Sequence, residues 1–136
     1  MKRILLDTGP LVGLLSPTDS HHRIAIAAWK EVVPPLYTCW PVLTEAAWLL
    51  RDHPAAVERM LASAAGGLFR ILQLDETDAS AIAEIHKRHR KLRPQLADAA
   101  LVHLAGREAL DTIFTFDQRD FRVYLGPGGR PLKIVP

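Results

Sequence analysis

Cysteine is nearly absent. Cys39 stands alone among 136 residues, so no internal disulfide can form, and the chain fits a reducing, cytoplasmic compartment. Long apolar runs are missing too: none nears the roughly 20 residues that span a bilayer, so no membrane span is expected. Met1-Lys2-Arg3 and the apolar residues behind it imitate the opening of a signal peptide. Asp7, however, interrupts the apolar core early, and no clean small-x-small cleavage site follows. Charge of one sign is also lacking. The formal net charge is only +2, so where the charges sit matters more than their sum. There is no repeat, low-complexity tract or linker, and no Cys/His spacing that suits zinc. What is present, 49% hydrophobic and 24% charged residues, suits one sizeable core, read as a single domain over residues 1–136.

Short apolar stretches at residues 3–6, 36–40, 69–72, 112–116 and 133–135 read as strands, the last an edge strand after a Gly/Pro-rich loop. Asp7-Thr8-Gly9-Pro10 reads as a turn closing the first. Helical patterns lie between them. One covers residues 22–33, with Ile26, Ala27 and Trp29, and stops at Pro34-Pro35. A second runs from a Thr44 cap through Glu45, Trp48 and Leu49. A third is opened by Pro54 and closed by Gly66-Gly67. Asp75 and Asp78 start a fourth, on which Ala79, Ile82, Ala83 and His86 recur at i, i+3, i+4, i+7, and Pro94 opens a fifth. Strands that are apolar on both faces and alternate with helices imply an α/β fold with a parallel sheet between helical layers.

In such sheets ligands bind beyond the carboxyl ends of the strands. Asp7 in ILLDTGPLVGLL follows the first strand and Asp117 follows the strand at 112–116, so both emerge at one edge. Asp98 lies in the first turns of its helix, in line with Leu101 and Val102. Glu45 sits near the start of its own, in line with Trp48 and Leu49. Singly these acids read as helix caps or turn residues. Asp7 is hardest to explain that way, because an ionised carboxylate amid apolar sequence is costly without a partner. Gathered carboxylates repel one another unless a cation lies among them, and an oxygen-only donor set suits Mg²⁺ or Mn²⁺. Such a site activates water and neutralises phosphate charge in nucleic-acid hydrolysis.

Four pieces in order, ILLDTGPLVGLL, LTEAAWLL, LADAALVHLA and TIFTFDQRDF, resemble the PIN domain, and within it the VapC-like toxin ribonucleases of toxin–antitoxin pairs. The stretch Asp19-Ser20-His21-His22 before an Ala-rich helix is similar there too, and the resemblance covers nearly the whole chain. It implies a three-layer α/β/α sandwich around a mostly parallel five-stranded sheet, and a metal-dependent endoribonuclease. By motif, Asp7, Glu45, Asp98 and Asp117 are the catalytic and metal-binding acids, with Asp120 as an optional fifth. Thr8 and Thr115 stand in matching positions and would orient a carboxylate or a bound water. Either Glu45 or Asp98 would help position or deprotonate the water, and one metal or two are both open. A small antitoxin inserting near the site is the partner implied. An RNA-processing nuclease without an antitoxin, or a non-catalytic scaffold of this fold, are the alternatives.

The dense basic run His86-Lys87-Arg88-His89-Arg90-Lys91-Leu92-Arg93 precedes the Asp98 helix. Lys87, Arg88, Arg90, Lys91 and Arg93 read equally as contacts to an RNA backbone and as a solvated helix end. Trp29, Trp40 and Trp48 read as core or interface rather than base-stacking platforms. The face Trp29, Trp48, Leu49 and Leu50 is wider than one small core needs and points to a homodimer. Asp7-Thr8-Gly9 is also the aspartic-protease tripeptide, but those proteins are all-β and need two such aspartates. A phospho-acceptor receiver domain does not fit the spacing of the acids.

Overall fold

A computed structural model describes residues 3–136. Five strands, β1 (Ile4–Leu6), β2 (Leu36–Thr38), β3 (Phe69–Ile71), β4 (Thr112–Phe114) and β5 (Lys133–Val135), form one sheet in the order β3-β2-β1-β4-β5. Every pairing is parallel. Helices α1 (Thr8–Leu15), α2 (His22–Trp29), α3 (Trp40–Leu49), α4 (Pro54–Ala65), α5 (Ala79–Arg88), α6 (Leu96–Arg107) and α7 (Gln118–Phe121) complete a three-layer α/β/α arrangement. β1 is central and wholly buried, which is why its three residues are apolar on both faces. Leu101 and Leu104 of α6, with Phe114 of β4, fill the same core.

Two helices begin earlier than their patterns predict. The turn expected at Asp7-Thr8-Gly9-Pro10 is the start of α1: Asp7 is its extended N-cap, and Pro10 falls in the first turn, where a missing N–H costs nothing. Likewise α3 starts at Trp40, with Pro41 in its first turn, so residues 39–40 leave the strand. Thr44 is therefore no cap. It lies inside α3 and its Oγ1 donates to the Trp40 carbonyl at 2.8 Å. The same shift moves Glu45 from a helix start to the second turn. α2 ends at Trp29, short of residue 33, while α4 matches its expected bounds, with Gly67 at φ 89 beyond its end.

The apolar stripe Ala79, Ile82, Ala83 and His86 reaches the core only through the partly buried Ile82. It lines an open groove of about 860 Å³, opposite Pro41 and Leu96. The face expected of Trp29, Trp48, Leu49 and Leu50 is divided as well. Leu50 is buried and Trp29 packs edge-on against Phe69, whereas Trp48 (64% exposed) and Leu49 (53%) stand in solvent.

α5 is tied to α6 by charge. Before α5, Asp78 accepts at Oδ1 from His103 Nε2 (2.7 Å) and Arg107 (3.1 Å), and at Oδ2 from the Asp75 N–H (3.0 Å). The His103 hydrogen bond, then the Asp75 N–H, outweigh its burial, and together with Arg107 they hold its pKa down at about 2.

Candidate active site

All five strands point the same way, so their carboxyl ends share one edge. The register Leu6↔Phe114 brings the residues after β1 and β4 side by side there. The Asp7 N–H donates to the Phe114 carbonyl at 3.0 Å. Asp7 Oδ1 accepts from the Thr8 N–H at 2.8 Å, and Oδ2 accepts from Thr115 Oγ1 at 2.7 Å. Thr115 Oγ1 in turn accepts from the Asp117 N–H at 3.0 Å. Thr115 is thus a buried link that fixes the first acid to the backbone of the last. Thr8 acts through its N–H; its own hydroxyl is buried with no partner among the described residues.

Asp117 caps α7, its Oδ1 accepting from the Asp120 N–H at 3.1 Å. Asp98 stands in the first turn of α6, where its Oδ2 accepts from the Gln95 N–H at 3.0 Å. The bland capping role and a position facing the other acids therefore coexist in one side chain, since Oδ1 stays free of that bond. Glu45 projects from the second turn of α3. Asp7, Glu45, Asp98 and Asp117 line one pocket of about 340 Å³, together with Thr8, Gly9, His21, Gln95 and Phe116. Asp120 does not line it. It is buried alongside, paired with Arg119 at 3.1 Å, close enough for its charge to repel Asp98.

The electrostatics are those of acids without a counter-charge. Burial pushes Asp7 up to about 6, against the hydrogen bonds from Thr115 and Thr8, and Glu45 and Asp117 add repulsion. Burial and the Asp7 charge likewise raise Asp98 to about 6, against the Gln95 bond. Glu45 is raised by burial and by Asp98. Even the buried thiol of Cys39 is pushed up to about 11, chiefly by burial and in part by Asp7.

Among the described residues no three acids, imidazoles or thiols close tightly into a finished ligand shell. The chemistry of the four carboxylates nevertheless suits a hard divalent cation: they are oxygen donors and anionic beyond what their hydrogen bonds satisfy. Mg²⁺ keeps several waters, so open spacing of the acids is compatible with it.

The family model described as "PIN domain" matches residues 4–124. The chain belongs to the PIN-domain family. Ribonuclease VapC26 of Mycobacterium tuberculosis (strain ATCC 25618 / H37Rv) is 26% identical over 138 residues, covering 98% of this chain and all of the relative. The crystal structure of M. tuberculosis VapC20, titled a sarcin-ricin loop cleaving toxin, superposes with TM-score 0.77 at 21% identity, over 85% of this chain and 91% of that one. This PIN domain thus shares its fold with that toxin.

Three pocket side chains were not predicted as site residues from the sequence: Gln95, Phe116, and His21, which was noted only as part of the Asp19–His22 stretch. His21 lies far from any acid in sequence except Asp19, and Phe116 reads as one more apolar residue of a strand. The only signal for Phe116 was its place between Thr115 and Asp117. The basic run behaves differently. Lys87, Arg88, Arg90, Lys91 and Arg93 are all exposed and none lines the acid pocket. Lys87 and Arg90 border the apolar groove instead.

Proposed function

We infer that this chain, working as one nuclease domain, is a Mg²⁺- or Mn²⁺-dependent endoribonuclease and the toxin of a toxin–antitoxin pair that inhibits translation. The observation that supports this best is one pocket holding Asp7, Glu45, Asp98 and Asp117 with no Lys or Arg lining it. A folded protein tolerates such a cluster when a cation or a proton shared among the acids relieves it. Asp7, Asp98, Asp117 and Glu45 would hold the ion, with Asp120 supporting from the side. When bound, the metal supplies charge neutralisation at the scissile phosphate and a more acidic water.

The chain's own groups do the rest. Thr115 and the Thr8 N–H keep the Asp7 carboxylate aimed along one direction. Asp98 and Asp117 are aimed by backbone N–H groups in the same way. The Glu45 carboxylate accepts no hydrogen bond among the described residues and its pKa is raised, so it would be the acid to take a proton from the attacking water. An antitoxin is the protein partner that the VapC resemblance brings. Trp40, Trp48 and Leu96, all more than half exposed around a shared hollow, are the face a second copy of the chain would cover.

The test is direct. Wild-type protein freed of any antitoxin and Asp98→Asn are each mixed with total RNA and Mg²⁺ or Mn²⁺, with EDTA controls, and 5′ ends are sequenced. Cuts that need metal and disappear in Asp98→Asn are expected. Equal cutting by both proteins, or none by folded wild type, overturns the assignment in favour of a binding scaffold.

A further inference from the structure

One wall of the acid pocket is flat and aromatic. Phe116 follows Thr115 and precedes Asp117, so its backbone is held by the same hydrogen bonds that hold the acids. Its ring lies over Gly9 at the start of α1, where an added Cβ would sit 3.5 Å from Cδ2. On the outer side His21 stacks on it, with ring centroids 4.9 Å apart and planes 20° from parallel. Phe114 meets Phe116 edge-on from below, at 6.0 Å. The result is a column of rings, rooted in the core and ending at a histidine whose side chain is 52% exposed.

The neighbouring histidine shows what a structural role looks like. His22 Nδ1 donates to the Gly13 carbonyl at 2.6 Å and ties α2 to α1. His21 is tied only locally: its Nδ1 is near Ser20 Oγ at 3.2 Å and the Asp19 carboxylate at 3.9 Å, and its one ring partner is the Phe116 face. Little stability depends on so exposed a ring. Its position beside four carboxylates is nevertheless held firmly, by Phe116 beneath and by the Asp19 carboxylate accepting the His21 N–H at 3.0 Å.

We propose that His21, backed by Phe116, is the stacking platform for a nucleobase next to the scissile phosphate, and so fixes the position of the strand at the cut. This rests on the endoribonuclease reading above. An anionic pocket attracts RNA only through its metal and the phosphate, which are the same for every nucleotide. Holding one nucleotide in place over the acids must then fall to groups that touch bases, and a flat ring at the pocket rim is suited to that. A base stacked there also fixes the sugar-phosphate beside it, which aligns the bond for in-line attack.

The experiment uses a short single-stranded oligoribonucleotide carrying the site that wild-type protein cuts, and versions with an abasic nucleotide on either side of the cut. Cleavage by wild type, His21→Ala and His21→Phe is compared as kcat/KM, with thermal melts to show that each is folded. Wild type is expected to lose roughly tenfold or more on one abasic substrate, the range of a single base–aromatic stack. His21→Ala should lose a similar factor on the intact substrate and be indifferent to the missing base, while His21→Phe keeps both the rate and the discrimination. The proposal is overturned if His21→Ala cuts the intact substrate like wild type, or still discriminates against the abasic one. Wild-type cutting of the intact substrate tests the nuclease reading separately: if there is none, that reading fails and takes the platform with it.

Discussion

Asp78 and Asp7 are the same residue type, both nearly buried, and their environments drive them in opposite directions. Asp78 meets His103 and Arg107 and is held down at about 2. Asp7 meets only neutral donors and other acids and is pushed up to about 6. The first is a finished interaction that joins α5 to α6. The second is unfinished, with no counter-charge among the residues that shift it. Burial alone does not mark a functional acid; burial without a counter-charge does.

Changing the unfinished acids should cost activity and spare the fold. Asp98→Asn is expected to lower cleavage about a hundredfold or more, and Asp7→Asn similarly, as removal of a group aimed at developing charge does. At neutral pH Asp7→Asn should also melt higher than wild type without metal, by up to about 3 kcal/mol, because the rise of its pKa from 3.8 to about 6 measures how much the folded state disfavours the ionised form. A lower melting point would mean that the carboxylate is satisfied after all. Thr115→Val keeps the shape and removes the bond to Asp7, so cleavage should fall by about 10- to 100-fold, with the same products.

Acidity separates the two regions further. Asp7 and Asp98 have folded pKa values above the ordinary 3.8, so the stability they allow at low pH is lost as pH rises through about 6. Asp78 has a lowered one, so its contribution is present above about 4 and lost as pH falls towards 2. Taken together, these groups make the metal-free protein most stable near pH 4, and adding Mn²⁺ should raise the melting temperature at pH 7 but not at pH 4. Calorimetry across pH checks both. His103→Ala should lower the melting temperature and leave the cut positions unchanged, since it touches only the finished acid. Smallest of all, Lys87→Ala with Arg90→Ala should leave cleavage of short RNA nearly intact and reduce the salt dependence of binding by about one unit of log–log slope per lost phosphate contact.

Much of this was legible in the chain itself. The central strands were readable because they are apolar on both faces, and Asp7, Asp98 and Asp117 because each follows a strand or opens a helix; Glu45 lies in the second turn of α3 instead. The start of α1 was not, since Gly9 and Pro10 look like a turn until Asp7 is seen to cap a helix that contains them both. Thr44 misled for a related reason: the true start, at Trp40-Pro41, has no polar side chain to announce it. The Ala79, Ile82, Ala83 and His86 stripe has a core helix's period, yet only Ile82 reaches the core and the rest lines a groove, because periodicity reports a helix's apolar face and not what covers it. Asp78, His103 and Arg107, like His21 and Phe116, meet only through the tertiary fold, and no local pattern records such meetings.

The bond from Thr115 to Asp7 joins residues 108 positions apart. During synthesis Asp7 leaves the ribosome long before the residue that holds it, and β4 cannot pair with β1 until most of the chain has emerged. A nascent chain therefore has all the ingredients of its N-terminal half and no assembled site.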